Sequence, residues 1–140
     1  MILVDANNWY RILIESNSKI GILRHLLFET TGLGKAFVVW DGFNSNAYRR
    51  QFWPGYKVGR NKPDTSVFDA FKVLQQLLKH AGVPQIKVDG YEADDVIAGL
   101  IARDEDKIVT KIMSTDLDLA GLGVPTLSKK TVPERLALYK

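Results

Sequence analysis

Cysteine is absent from the 140 residues, so disulfides, thiolate zinc sites and cysteine nucleophiles are excluded. Histidine is scarce: His25 and His80 are the only two, and both fall inside helical apolar patterns away from the acidic motifs. Any metal site must therefore draw on oxygen ligands. No apolar run approaches the roughly 20 residues that a membrane span needs, and Met1 to Asp5 does not read as a signal peptide because an Asp interrupts it. A cytoplasmic protein with no membrane partner is expected. Internal repeats, low-complexity tracts and interdomain linkers are missing too, so the chain reads as one domain over 1–140 with one core. Neither sign of charge dominates, and a net charge of +3 is too mild to name a partner by itself.

What the chain does have is a set of short apolar runs that each end in acid. Ile2 to Val4 reads as a buried strand delivering Asp5. Asn7 and Asn8 are placed to cap a helix carrying Trp9, Ile12 and Leu13, and a second helical pattern follows through Ile22, Leu23, Leu26 and Leu27, stopped by Gly32 and Gly34. Ala36 to Trp40 is rich in β-formers and ends in Asp41-Gly42. Asp64 or Thr65 caps an amphipathic helix through Val67, Phe71, Leu74 and Leu78, ended by Gly82 and Pro84. Gln85 to Val88 is a third strand and leads into GYEADD, Gly90 to Asp95, whose apolar followers Val96, Ile97, Leu100 and Ile101 have helical spacing. Ile108 to Met113 reads as a fourth strand, continued by Ser114-Thr115-Asp116-Leu117-Asp118. Val124 to Lys140 is basic and broken by Pro125 and Pro133. The alternation predicts a parallel α/β sheet with helices on both faces. Trp9, Phe28, Phe37 and Phe71 read as core, and Lys129 and Lys130 as a solvated terminal face.

If the strands are parallel, Asp5, Asp41, Glu92, Asp94, Asp95, Asp116 and Asp118 gather at one C-terminal sheet edge, where open parallel sheets bind ligands. A single strand-end Asp can simply face water, and acids near a helix start are favoured by its dipole. Acids at all four strand ends fit that reading poorly. Crowded carboxylates repel and need a cation, and Mg²⁺ or Mn²⁺ suits an all-oxygen set. Metal-assisted phosphodiester hydrolysis is the chemistry such a site performs. Removing these seven from the 16 acids leaves nine against 19 bases, so the rest of the molecule carries +10, which suits a polyanionic substrate. Asn44 to Asp64 lacks core periodicity and interleaves Tyr48, Arg49, Arg50, Phe52, Trp53, Tyr56, Lys57, Arg60 and Lys62. That mixture suits phosphate contacts beside base stacking; its plainer reading is a solvated loop with anchoring aromatics.

Five segments together, VDANN (Val4 to Asn8), WDG (Trp40 to Gly42), YKVGR (Tyr56 to Arg60), GYEADD and STDLD, resemble the 5′-nuclease or flap endonuclease family, which includes phage exonucleases and the 5′-nuclease domain of bacterial DNA polymerase I. The motifs stand in family order and span nearly the whole chain; GYEADD followed by S-T-D-x-D is the most specific. The resemblance implies a PIN-like (5′-3′ exonuclease N-terminal) α/β fold and a DNA substrate with 5′ flaps or branched ends. It implies that the seven carboxylates named above bind metal. It implies that Tyr56, Lys57 and Arg60 form the gateway beside the active site, with Lys57 and Arg60 on the scissile phosphate and Tyr56 stacking on a base. Arg11 is similar to the family's phosphate-binding arginine, though one residue nearer to the first Asp. Arg49 and Arg50 are further expected DNA contacts.

Family members continue past S-T-D-x-D into a helix-three-turn-helix module that grips duplex DNA and adds acids for the second metal. That module is expected to be absent here, since Glu134 is the only carboxylate between Ala120 and Lys140; two ions are expected, the second site being incomplete. Leu117 also stands where the family commonly has a base. Three organisations are open: a catalytic half needing a second polypeptide that carries the module, a fragment of a longer protein, or a degenerate relative. Two rival functions stand beside the DNA nuclease. One is a PIN-type ribonuclease acting on RNA, and the other a non-catalytic nucleic-acid-binding subunit.

Overall fold

The computed structural model describes residues 1–15, 36–60 and 65–126. Four strands, β1 (Ile2–Asp5), β2 (Ala36–Asp41), β3 (Gln85–Val88) and β4 (Lys111–Met113), form one sheet in the order β3-β2-β1-β4, with every pairing parallel. The two central strands, β1 and β2, are short and apolar up to their terminal Asp, as strands covered on both faces are, whereas the edge strands β3 and β4 carry Gln85, Lys87 and Lys111. The helices are α1 (Ala6–Glu15), α2 (Ala47–Phe52), α3 (Thr65–His80) and α4 (Ala93–Ala102), followed by a 3₁₀ turn over Leu117–Leu122.

Because successive strand residues point to opposite faces, Leu3 and Val4 enter different cores, so the expected single core is two, one on each face of the sheet. Val4, Val38, Trp40 and Met113 face α1 and α3, where they meet Tyr10, Leu13, Phe71, Leu74 and Leu78. Leu3, Val39 and Ile112 face α4 and the 3₁₀ turn, where they meet Ile97 and Leu119. The expected α/β sheet with helices on both faces is therefore the observed one. Burying each of these aliphatic side chains contributes about 1.5–3 kcal/mol.

The topology also makes the crevice. The chain steps outward from β1 to β2 to β3 along one side, and α4 then carries it back across the other face to β4, on the far side of β1. Strand order reverses between β1 and β4, and open α/β sheets bind ligands beyond the carboxyl ends at such a point.

Several expectations are corrected. Asn7 and Asn8 do not cap α1, which already starts at Ala6; both side chains accept hydrogen bonds from neighbouring strand ends instead. On α1, Ala6 and Tyr10 are fully buried and Leu13 nearly so, while Ile12 is exposed. The fourth strand begins at Lys111, not Ile108, because the Asp104 carboxylate accepts the backbone N–H groups of Ile108 and Val109, both at 2.9 Å. That holds the start of the apolar run to the preceding loop. Beyond β4, Ile112 donates to the carbonyl of Pro125 at 2.9 Å and bridges to Thr126, so the start of the basic C-terminal segment covers that sheet edge. The expected helix through Ile22 to Leu27 with its glycine stops, His25, Phe28, the capping of α3 by Asp64 or Thr65, Lys62 and the segment from 127 onward lie outside the described residues. Among the described residues no helix is long and apolar enough to cross a membrane.

Candidate metal and nucleic-acid site

All four strands deliver carboxylates to one edge. Asp5 ends β1 and Asp41 ends β2; Glu92, Asp94 and Asp95 open α4 just after β3; Asp116 and Asp118 follow β4. The β2 and β3 ends are tied directly, as Asp41 Oδ1 accepts from the Ala93 N–H at 2.8 Å and the Gly42 N–H donates to the Tyr91 carbonyl at 3.0 Å. Glycine is required at 42, since a Cβ there would stand 1.9 Å from the Val88 carbonyl oxygen. At the other end, buried Ser114 donates to Asp5 at 2.8 Å and accepts from the Asp116 N–H at 3.0 Å. The first turn of α1 joins both sides: Asn7 Oδ1 accepts from the Asp41 N–H at 2.9 Å, and Asn8 Oδ1 from Thr115 N–H at 3.0 Å and Oγ1 at 3.2 Å.

Between these ends lies an open cleft of about 380 Å³ whose walls include Asp5, Asp41, Glu92, Asp94, Asp116 and Lys57. Two groups of three carboxylates meet there, Glu92/Asp94/Asp95 and Asp94/Asp116/Asp118, sharing Asp94. Within each group one oxygen per residue lies within 4.8 Å of the others, a spread that hard divalent ions with oxygen ligands at about 2.0–2.6 Å can bridge. Asp5 and Asp41 stand on the cleft wall outside both groups. The donor set thus suits Mg²⁺ or Mn²⁺, being all carboxylate with no thiolate or imidazole.

The electrostatics show how crowded these anions are. Burial, and then Asp41, Asp94 and Asp116, push the Asp5 carboxyl up from 3.8 to about 7 despite the Ser114 hydrogen bond. Burial likewise raises Asp94 to about 6, against the pull of Arg49. Asp41 is raised by burial too, with the Ala93 N–H opposing.

The basic segment folds back onto the acids. From α2, Arg49 reaches Asp94 at 2.8 Å, Asp95 at 2.9 Å and Glu92 at 3.3 Å, while Lys57 donates to Glu92. Burial alone would lower both cations, but Asp95 and Asp94 outweigh it for Arg49, and Glu92 outweighs it for Lys57, so both are held more firmly protonated. Tyr56 donates to the Glu92 carboxylate at 3.2 Å. Arg50 donates to the Tyr56 carbonyl at 3.0 Å. Arg11 lines the cleft and pairs with Glu15 at 2.8 Å. Arg60 is exposed and is not part of the cleft wall. Phe43, Phe52 and Trp53 are exposed at 81%, 76% and 63%, an aromatic surface beside the acids.

The family model of the 5′-3′ exonuclease N-terminal, resolvase-like domain matches residues 16–132. The chain belongs to that family. A 5′-3′ exonuclease of Bacillus subtilis is 26% identical over 129 residues, covering 91% of this chain and 43% of that protein. A DNA polymerase I of Geobacillus stearothermophilus is 34% identical over 82 residues, which are 58% of this chain and 9% of the polymerase. Bacteriophage T5 5′-exonuclease with bound zinc has the same fold, with a TM-score of 0.56 at 20% identity over 87% of this chain and 51% of that one. A T5 flap endonuclease in a pseudo-enzyme–product complex with DNA and metal ions gives a TM-score of 0.51 at 19% identity, over 85% of this chain and 50% of that one. The exonuclease-domain chain thus spans under half the length of these curated relatives and about half of these phage structures.

The structure brings all seven expected acids together, five in the two groups that share Asp94 and Asp5 and Asp41 on the cleft wall, with Asp118 on the exposed side. Sequence reasoning missed Asn7, Asn8 and Ser114 as the residues that tie the strand ends together. Their signal was present in VDANN and STDLD, where polar residues that bond to backbone stand directly beside an acid.

Proposed function

We propose that this chain is the catalytic part of a divalent-metal-dependent 5′ nuclease of the flap endonuclease and 5′-3′ exonuclease type, hydrolysing DNA phosphodiesters. The meeting of carboxylates from all four strand ends in one cleft, with Asp94 common to two groups of three, carries the reading. Family membership and the metal- and DNA-bound T5 structures support it. Asp5, Asp41, Glu92, Asp94, Asp95, Asp116 and Asp118 would hold the ions, Mg²⁺ or Mn²⁺. Bound there, they would supply Lewis acidity at the scissile phosphate and an activated water.

The protein's own residues do the rest. Lys57, on the cleft wall, meets the phosphate and offsets its growing negative charge, with Arg60 assigned the same role from the adjoining turn. Arg11 and Arg50 contact neighbouring phosphates, and Tyr56 stacks beside the scissile nucleotide. No side-chain nucleophile is needed. Ser114, the hydroxyl nearest the acids, is fully buried and donates its proton to Asp5. The chain spans about half of the T5 nuclease, and we assign duplex gripping to a helix-three-turn-helix module supplied elsewhere, in the same polypeptide or in trans.

Cleavage of a labelled 5′-flapped duplex in Mg²⁺ or Mn²⁺, with that module present, tests the assignment. Asp41→Ala and Asp116→Ala should each lose at least about 100-fold in rate while circular dichroism stays native. Undiminished cleavage by both variants would remove the metal assignment. Binding without cutting by the wild type would make the chain a nucleic-acid-binding subunit, and preferential cutting of single-stranded RNA a ribonuclease.

A further inference from the structure

Arg49 occupies the place where a cation is needed. Its Nη2 donates to Asp94 at 2.8 Å and to Asp95 at 2.9 Å, Nε donates to both Asp95 oxygens at 3.1 and 3.2 Å, and Nη1 lies 3.3 Å from Glu92 and donates to Tyr56 Oη at 2.6 Å. One guanidinium therefore binds all three carboxylates of one candidate ion group, including Asp94, which the second group shares. Tyr56 and Lys57 add two more donors to Glu92.

Among the described residues little else holds this stretch down. Tyr48 anchors its start, donating from its N–H to the Gly90 carbonyl at 3.0 Å and stacking on Tyr91 at 4.8 Å. Beyond that point α2 buries no residue, Phe52 and Trp53 face solvent, and Lys57 sits at a φ of 54°, in the left-handed region that non-glycine residues disfavour. The segment from Arg49 to Lys57 is fastened mainly by its donors to the acids.

An oxygen that accepts from a guanidinium is poorly placed to coordinate a divalent ion as well. Resting on the divalent-metal reading above, we propose that Arg49 is an internal counter-cation for Glu92, Asp94 and Asp95. It holds the three carboxylates together before an ion arrives, and a divalent ion displaces it from Asp94. The guanidinium and Lys57 then become available to a phosphate group. Arg49 is thus a positioning residue, and ion loading is coupled to release of the basic segment.

Removing this charge leaves Lys57 alone against three carboxylates, which weakens the ion-free fold and attracts a divalent cation more strongly. In a Mn²⁺ titration of the 140-residue chain, Arg49→Met should bind at least about ten-fold more tightly than the wild type, melt lower in EDTA and gain more on adding Mn²⁺. Arg49→Lys should return both properties toward wild type. A residue of merely structural importance would lower the melting temperature without tightening Mn²⁺ binding, and that result overturns the inference. Should Arg49→Met fail to fold, the wild type still decides: its Arg49 Nε–H resonance, identified by its loss in Arg49→Lys, should shift in step with Mg²⁺ occupancy. A resonance unmoved at saturating Mg²⁺ overturns counter-cation exchange while leaving the metal reading intact. No Mn²⁺ or Mg²⁺ binding by the wild type overturns both.

Discussion

The acids at the strand ends and the basic segment that lies over them are held in place by opposite means. Asp5 and Asp41 are positioned by a parallel sheet, by backbone hydrogen bonds between strand ends and by a glycine packed against a carbonyl, and Glu92 stands at the start of α4 in a capping box with Asp95. Arg49, from a six-residue helix with no buried side chain, and Tyr56 and Lys57, from the turn that follows it, are positioned by the acids themselves. The fold therefore builds the anionic half of the site independently of ligands, whereas the cationic half borrows its position. A half that is built should be costly to damage and a half that is borrowed should be free to move.

The largest expected effect tests that contrast through two glycines. Gly42→Ala drives a Cβ to 1.9 Å from the Val88 carbonyl oxygen, backbone that cannot give way without parting β2 from β3. It should cost at least about 3 kcal/mol or prevent folding. Gly59, in the basic segment at a φ of 81° with nothing within 4 Å of its Cβ position among the described residues, should cost only about 1 kcal/mol when changed to Ala, from the left-handed backbone alone. Chemical denaturation of both variants gives the comparison. Equal costs would show the two halves to be equally built.

The next effect is read against pH. Asp5 and Asp94 hold protons more tightly in the folded chain, at about 7 and about 6, than in the unfolded chain near 3.8. Folding therefore takes up protons between these values. In EDTA, stability is fully present below about pH 4, falls as pH rises and levels off above about pH 7, a loss on the order of a few kcal/mol. Saturating Mg²⁺ favours the ionised carboxylates, so it should flatten or reverse this slope. Melting curves from pH 4.5 to 8 with EDTA and with Mg²⁺ measure it, and parallel slopes in the two series would count against ions binding at Asp5 and Asp94.

The same division governs what could be read from the sequence. The strand-end acids were legible because short apolar runs ending in Asp locate both a strand and its carboxyl end, and Val67, Phe71, Leu74 and Leu78 marked the buried face of α3 by spacing alone. Asn7 and Asn8 were not, because an Asn near a helix start has the same local signature whether it caps that helix or, as here, bonds to a strand end 34 or more residues away. Ile108 and Val109 had the composition of a strand, but a carboxylate in the preceding loop competes for their N–H groups. Nor is the role of Arg49 legible, because interleaved bases and aromatics suggest an outward surface for nucleic acid. Only the pairing of β2 with β3, which sets the start of α4 beside the segment that leaves β2, puts Glu92, Asp94 and Asp95 within its reach.

The smallest expected effect on the fold falls on the borrowed half. Trp53, 63% exposed and meeting Tyr56 at a ring distance of 5.7 Å, and Phe52, 76% exposed and edge-on to Tyr48 at 5.4 Å, give up little burial when truncated. Trp53→Ala and Phe52→Ala should each change stability by no more than about 0.5 kcal/mol, as exposed substitutions usually do. If the aromatic surface serves nucleic-acid bases, the same variants should bind a single-stranded oligonucleotide about 1–3 kcal/mol more weakly, the range for loss of one base–aromatic stack. Fluorescence anisotropy in the presence of Ca²⁺, to limit cleavage, reads the binding, and denaturation reads the fold. Unchanged binding with unchanged stability would leave the acids and their cations as the whole of the site. A large loss of stability would mean that the segment is anchored by its aromatics rather than by Glu92, Asp94 and Asp95, and the difference between the two halves would disappear.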